Sequence, residues 1–187
     1  MKKILAILAM ALVVSEGALA ASARIEWQDA DGVDGSPNQQ SIVLGVKESF
    51  TKYFAGDVGI TSTSNNSNGG IGSTRAEIGG TGSYPVAGPF GVYTRLGIGQ
   101  KYTSTKNFGY YSVEPGVTAD IGYGFNAKIG YRFRDAFDAN NNVDTTRTWR
   151  AGLDYSINKD NAIGVGYDYV RGDTNQNVWK VNYTRGF

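Results

Sequence analysis

The side chains best able to do chemistry in this sequence are charged ones that recur at even spacing along short segments. Lys128, Arg132 and Arg134 share one parity in one segment, and Arg150 and Asp154 share one parity in the next. Successive side chains of a strand point to opposite faces, so each set lies on a single face. Charges gathered on an enclosed face either pair as salt bridges or present a charged lining to a solute.

Acid–base and nucleophilic chemistry have little support in the composition. The sequence contains no histidine and no cysteine. Without imidazole, general base catalysis near neutral pH needs a lysine or carboxylate whose proton affinity is strongly altered. A Ser–Lys arrangement stays open, but no motif marks one. We therefore expect no enzymatic activity, no catalytic residue, no cofactor and no metal site, and the absence of cysteine excludes disulfides.

The charged positions lie opposite apolar ones in segments that alternate strictly. This period of two predicts β-strands that have one apolar and one polar face. In the clearest segment, the apolar face comprises Phe125, Ala127, Ile129, Tyr131 and Phe133, and the opposite face comprises Asn126, Lys128, Gly130, Arg132 and Arg134.

The whole chain after its first twenty residues divides into such segments, separated by Gly, Asn, Asp, Ser and Pro, which predicts an all-β fold. The odd-numbered links are the longer ones, and Ser83–Gly88 is the longest of the even-numbered links. Pro115 interrupts the sixth segment, which places it at a bulge or a strand start. Eight strands remain an alternative to ten. The ten predicted strands lie near Arg24–Gln28, Gln40–Phe50, Lys52–Ser62, Gly72–Gly82, Phe90–Tyr102, Tyr110–Tyr123, Phe125–Phe137, Thr145–Ile157, Ala162–Arg171 and Asn177–Phe187.

The last strand carries a family resemblance. Trp179, Val181, Tyr183 and Phe187 share one face, and Phe187 is the final residue. A strand closed by a terminal Phe resembles the C-terminal signature of Gram-negative outer-membrane β-barrel proteins, the small porin-like and opacity-type class. Arg185 departs from that signature, which has an apolar residue there. The resemblance implies a transmembrane antiparallel up-and-down β-barrel, insertion by the barrel assembly machinery through this strand, and contact with outer-membrane lipid and lipopolysaccharide.

The depth of the aromatic residues favours a membrane over water. Small aliphatic side chains occupy strand centres, while rings collect near both ends, as in the aromatic girdles of transmembrane barrels. A secreted soluble β-sandwich or lipocalin-like barrel would also explain the alternation, but it would keep its rings in a central core. The predicted membrane girdle includes Trp149, Tyr155, Tyr169, Trp179 and Phe187.

The N-terminus predicts export. Met1-Lys2-Lys3 is basic, an apolar run follows, and Ala18-Leu19-Ala20 is a small-x-small cleavage site, so we expect a signal peptide at residues 1–20 and a barrel domain at residues 21–187.

The mature chain is formally neutral, because removal of Lys2, Lys3 and Glu16 takes 18 basic and 17 acidic residues to equal numbers. No nucleic-acid partner is expected from a neutral chain. We expect a monomer in the outer membrane with both termini periplasmic.

Two functions fit the predicted lumen. One is a narrow porin-like channel for small hydrophilic solutes, and the other is a sealed structural or adhesive surface barrel whose lumen is filled by salt bridges. Basic residues outnumber acidic ones, which favours anions slightly. The charged residues predicted to face inward are Arg24, Lys47, Arg75, Arg95, Lys101, Lys128, Arg132, Arg134, Arg150 and Lys180, and Glu26, Asp57, Glu77, Glu114, Asp120, Asp154 and Asp168.

Overall fold

The chain folds as a closed, up-and-down barrel of ten antiparallel strands. The computed structural model describes residues 20–65, 71–138 and 145–187. Each strand pairs with its neighbours in the chain, and β1 pairs with β10 to close the barrel. The predicted fold class is confirmed, with ten strands rather than eight. The strands are β1 Ala20–Gly32, β2 Gln39–Ser49, β3 Phe54–Asn65, β4 Ile71–Ala87, β5 Phe90–Thr103, β6 Asn107–Gly122, β7 Phe125–Ala136, β8 Thr146–Ser156, β9 Asn161–Gly172 and β10 Gln176–Gly186.

Closure leaves the sheet without an open edge. Backbone N–H and C=O groups of every strand therefore meet a ladder on both sides, which is the condition for strands to lie in hydrocarbon. The predicted signal peptide lies outside the described residues except for Ala20, which begins β1. Among the described residues, no helix has the length and apolar character needed to cross a bilayer.

The first strand is longer than its sequence pattern predicted. Only Arg24–Gln28 alternates clearly, yet β1 runs from Ala20 to Gly32. Ser22 pairs with both Gly186 and Lys47, so the weak N-terminal part has a partner on each side. Pairing on two sides outweighs weak local propensity, which is why the strand extends beyond its pattern.

Two predictions about prolines were wrong. Ser83–Gly88 is not a long link, because β4 continues to Ala87 and only Gly88 and Pro89 separate it from β5. A register shift after Pro85 accommodates that residue within the strand. Pro115 lies inside β6 without a register shift, and it pairs in register with Thr94 of β5. The β7 ladder keeps its register on either side of this position but has no pairing at it, as expected where proline lacks an N–H.

The two ends of the barrel differ in their connections. At the end that holds Ala20 and Phe187, the turns are short, such as Tyr123-Gly124 between β6 and β7, where both residues have positive φ as in a tight hairpin turn. At the other end, the 33–38 link contacts the 173–175 link, where the Asn175 N–H donates to Ser36 Oγ at 3.1 Å. The predicted loops Ser62–Gly70 and Asp138–Asp144 lie partly outside the described residues.

Candidate functional site in the barrel lumen

The barrel encloses a polar cavity of about 770 Å³. All ten strands contribute to its lining. Gln39 and Gln176 line it near the end with the longer links, and Thr51 and Thr184 line it near the end with the short turns. The cavity therefore extends along the barrel axis, and its volume is within the range of protein sites that hold small molecules.

Most of the predicted lumen residues lie together on this lining. Asp120 does not: it is exposed beside the β6–β7 turn, where it accepts a hydrogen bond from the Gly122 N–H at 2.9 Å. A register shift between Asp120 and Gly122 ends the regular alternation there, so parity no longer sets the direction of the side chain. The predicted site residues that line the cavity are Arg75, Glu77, Arg95, Glu114, Lys128, Arg132, Arg150, Asp154, Asp168 and Lys180.

One group of charges connects β3, β4, β5 and β7, and we call it the Arg95 network (Asp57, Glu77, Arg95 and Arg132). Arg95 Nε donates to Asp57 Oδ1 at 3.0 Å, and Arg95 Nη2 lies 2.5 Å from Asp57 Oδ2. Arg95 Nη1 also contacts Glu77 Oε1. The second oxygen of Glu77 accepts from Arg132 Nη2 at 2.5 Å. Both arginines therefore contact Glu77, and Arg95 also binds Asp57.

A second group connects β5, β6, β8, β9 and β10, and we call it the Arg150 network (Tyr93, Glu114, Arg150, Asp168 and Lys180). Arg150 Nη1 lies 2.6 Å from Glu114 Oε2, and Arg150 Nε lies 3.2 Å from Asp168 Oδ2. Asp168 also contacts Lys180 Nζ. The Tyr93 hydroxyl donates to Glu114 Oε1 at 3.0 Å. Each carboxylate in this network has at least two donors.

These contacts reach beyond adjacent strands. Arg95 on β5 passes β4 to reach Asp57 on β3, and Arg132 on β7 reaches Glu77 on β4. Charges removed from water are tolerated when they are paired and hydrogen-bonded. Smaller pairs complete the lining: Arg24 contacts Glu26, and Lys128 Nζ lies 3.9 Å from Asp154 Oδ2. The networks both neutralise the lumen and occupy part of its cross-section.

Inward aromatic side chains are the main feature that the sequence prediction missed. Tyr110 is only 1% exposed and lies inside the barrel, with the Arg134 guanidinium 5.4 Å from its ring centre. Phe108 is buried beside Lys101, whose Nζ is 5.5 Å from the ring centre. The even spacing of the sequence already indicated these inward rings. Tyr93 lies on the same strand face as Arg95, and Tyr110 lies on the same strand face as Glu114. The expectation that rings face outward obscured it.

The outer surface has the opposite character. Trp149 and Trp179 are 57% and 60% exposed, and each packs edgewise or tilted on a neighbouring ring, Tyr131 and Tyr167 respectively. Exposed aliphatic side chains surround the barrel between the aromatic ones. A water-soluble barrel would place these residues inside, so the exposed apolar surface is that of a lipid-facing barrel. The predicted girdle residues on this outer surface are Trp149, Tyr155, Tyr169, Trp179 and Phe187.

Solved outer-membrane barrels share this architecture. An outer-membrane channel from Pseudomonas putida F1 aligns with a TM-score of 0.59 at 8% identity, covering 92% of this chain and 98% of that chain. The β-domain of the Bordetella autotransporter BrkA aligns with a TM-score of 0.52 at 16% identity, covering 90% and 99%. The KdgM porin in complex with disordered oligogalacturonate aligns with a TM-score of 0.50 at 13% identity, covering 90% and 99%. No family model and no curated protein matches the sequence. At these identities, the likeness establishes the outer-membrane barrel fold.

Proposed function

We propose that this protein is a monomeric porin-like channel of the outer membrane, through which small hydrophilic solutes diffuse. The observation that carries the proposal is the polar cavity, whose lining includes residues near both ends of the barrel, such as Gln39 at one end and Thr184 at the other. An aqueous path through an apolar-surfaced barrel is the physical basis of a porin. Porins, channels and an autotransporter domain share the fold, so the fold by itself does not choose among these functions.

The charge of the lining supports a weak preference for anions. Its basic residues are more numerous than its acidic ones, and each acidic residue of the lining is paired with a basic one. The preference stays small because most bases are paired. The basic lining residues are Arg24, Lys47, Lys52, Arg75, Arg95, Lys101, Lys128, Arg132, Arg134, Arg150 and Lys180, and the acidic ones are Glu26, Asp57, Glu77, Glu114, Asp154 and Asp168.

A sealed structural or adhesive barrel is the second candidate. The Arg95 and Arg150 networks favour it, because their side chains cross the lumen between strands that are not neighbours. Barrels of about eight strands are filled by side chains, and ten strands lie near that limit. The cavity that remains beside the networks supports the channel over this alternative.

The placement in the cell is part of the same proposal. The short turns and the chain end at Phe187 share one end of the barrel, which we assign to the periplasm because outer-membrane barrels have short periplasmic turns. The longer links then face outward, where lipopolysaccharide contacts the rim. Assembly through the C-terminal strand by the barrel assembly machinery follows from the Phe187 signature.

Planar-bilayer recording tests the channel. The purified, refolded protein is expected to insert and to produce discrete conductance steps of uniform size, with a reversal potential in a salt gradient that shows modest anion preference. Heat-dependent gel mobility of the same sample verifies that the barrel is folded. A folded sample that produces no steps contradicts the channel and favours the sealed barrel.

A further inference from the structure

The side chains that fill the lumen are distributed unevenly around it. Most lumen glycines of β4 to β10 are covered by a long side chain. A methyl group added at Gly79 would lie 2.5 Å from an Arg95 guanidinium nitrogen, and one added at Gly116 would lie 2.5 Å from the Tyr93 ring. Such contacts are too close for real atoms, so the space above these glycines is already occupied. The two networks therefore fill this arc of the barrel.

The wall formed by β2 and β3 is uncovered at its two glycines. A methyl group added at Gly45 would have only the Val58 carbonyl oxygen nearby, at 3.5 Å, and one at Gly59 only the Leu44 carbonyl oxygen, at 3.7 Å. Both neighbours are backbone atoms of the wall itself, so no side chain from elsewhere reaches these positions. We call this surface the β2–β3 wall; it comprises Ser41, Val43, Gly45, Gly59, Thr61 and Thr63, all of which line the cavity.

The β2–β3 wall is polar enough to stay hydrated. At the end with the longer links, Ser41 and Thr63 are buried and hydrogen-bond to each other across the two strands, with their hydroxyl oxygens 2.9 Å apart. Val43 and Thr61 form the next pair toward the turn end, followed by Gly45 and Gly59. The small side chains of Val43, Gly45, Gly59 and Thr61 leave room for solute and for water that accompanies it.

Lys47 adds a charge to the same surface. It lines the cavity two residues beyond Gly45 on the same face of β2, and its side chain is exposed. It has no ion pair within the described part of the chain. Asp57 is its in-register neighbour on β3, but both Asp57 oxygens are engaged by Arg95. The ammonium group of Lys47 is therefore available to a passing anion.

We propose that solutes pass along the β2–β3 wall rather than through the centre of the lumen, and that Lys47 sets the anion preference of this off-centre path, an inference that rests on the proposed channel function. Gly45 and Gly59 define its width, because any larger side chain there would fill the space that the networks leave. The path favours small hydrated anions over cations of the same size, since the uncompensated ammonium group of Lys47 lies beside a low-dielectric wall.

Single cysteines test the position of the path, because the natural chain has none. Gly45→Cys and Gly59→Cys place a thiol on the β2–β3 wall, and Ser112→Cys places one inside the barrel on β6, where the native side chain is 2% exposed. A charged, membrane-impermeant methanethiosulfonate reagent is expected to lower the conductance of the first two variants at least twofold. Ser112→Cys, which is close in size to the natural residue, is expected not to respond.

Lys47→Gln tests the selectivity. The variant is expected to move the reversal potential in a salt gradient toward zero, with single-channel conductance changed less than twofold. Lys159→Gln is the matched control, since Lys159 lies in the β8–β9 turn and does not line the cavity. It is expected to leave both quantities unchanged.

The outcomes separate the two levels of the proposal. A folded natural protein without conductance refutes the channel and its path together. A conducting protein in which Gly45→Cys and Gly59→Cys ignore the reagent while Ser112→Cys is blocked refutes the off-centre path alone. An unchanged reversal potential in Lys47→Gln, with conductance retained, refutes the assignment of selectivity to Lys47. Gel mobility confirms folding of each variant before it is recorded.

Discussion

Arg150 shows how single residues hold the lumen together. Its guanidinium reaches Glu114 on one side and Asp168 on the other, and Asp168 also contacts Lys180. Each carboxylate depends on a base from another strand, so no member of the network is replaceable in isolation. Removal of one partner from a buried ion pair leaves an uncompensated charge, which destabilises by several kcal/mol.

Replacement of Arg150 by Ala is expected to change both stability and transport. Glu114 and Asp168 lose their shared partner, so the unfolding free energy in urea should fall by about 3 kcal/mol. The vacated space and the exposed carboxylates should raise single-channel conductance and shift selectivity toward cations. Arg95→Ala and Arg132→Ala are expected to act in the same direction, since each leaves Glu77 short of a partner.

Arg147→Ala is the control for the Arg150 variant. Arg147 lies on β8 with opposite parity, is exposed, and does not line the cavity. Its loss should leave conductance and selectivity unchanged. Equal conductance and selectivity in the natural protein and Arg150→Ala would show that the network does not border the transport path.

At the scale of elements, the β1–β10 seam decides whether the barrel closes. The ladder runs from Ser22 opposite Gly186 to Gly32 opposite Gln176. Beyond it, the Phe187 N–H donates to the Ala21 carbonyl at 2.9 Å, so the final residue is still held by the first strand. Its ring is 69% exposed and faces away from the lumen. The backbone of Phe187 thus serves closure, while its ring stays largely exposed.

Phe187→Ala is therefore expected to affect assembly more than stability. The backbone hydrogen bond survives the change and the ring buries little within the chain, so the unfolding free energy in detergent should change by less than about 1 kcal/mol. Assembly into the outer membrane of cells should slow several-fold, measured as the folded fraction by heat-dependent gel mobility after a pulse of synthesis. Tyr123→Ala, which removes a turn aromatic that is 97% exposed, is the control. Equal assembly of the Phe187→Ala variant and the natural protein would contradict the proposed role.

The differences between predicted and observed strands have a common cause. Alternation identified the centres of all ten strands, since a half-buried strand must repeat every two residues. It failed where pairing continues through residues that locally favour turns, as at Pro85 in β4. The predicted sixth strand already included Pro115, and only the bulge expected there is absent. In a closed barrel, each strand pairs with a neighbour on both sides, so a residue that cannot pair with one neighbour can still pair with the other.

At the scale of the whole molecule, the distribution of apolar and charged residues is the reverse of that in a soluble protein. Its exposed surface carries the apolar residues, and its interior carries the paired charges. Hydrocarbon offers no hydrogen bonds, so the charges turn inward toward one another and toward water in the lumen. The fold is therefore expected to be stable in detergent or lipid.

Tryptophan fluorescence tests this sidedness directly. The chain has three tryptophans, and all of them, Trp27, Trp149 and Trp179, are exposed on the outer surface. In vesicles of lipids with brominated acyl chains, we expect at least half of the emission to be quenched relative to unbrominated lipid. Aqueous iodide should quench little. The reverse result would show that the rings face water or a protein core.

The sequence by itself determined the alternation of faces, the β-class of the fold and the charged character of the interior. Those properties depend on neighbouring residues, because side-chain direction repeats every two positions along one strand. Only the tertiary structure decided which charges meet, that Tyr93 and Tyr110 fill one side of the lumen, and that the β2–β3 wall is left open. Glu77 and Arg132 lie on strands that are three positions apart around the barrel. Such contacts exist only after closure fixes the register of every strand, since a shift by one residue would turn each side chain to the other face.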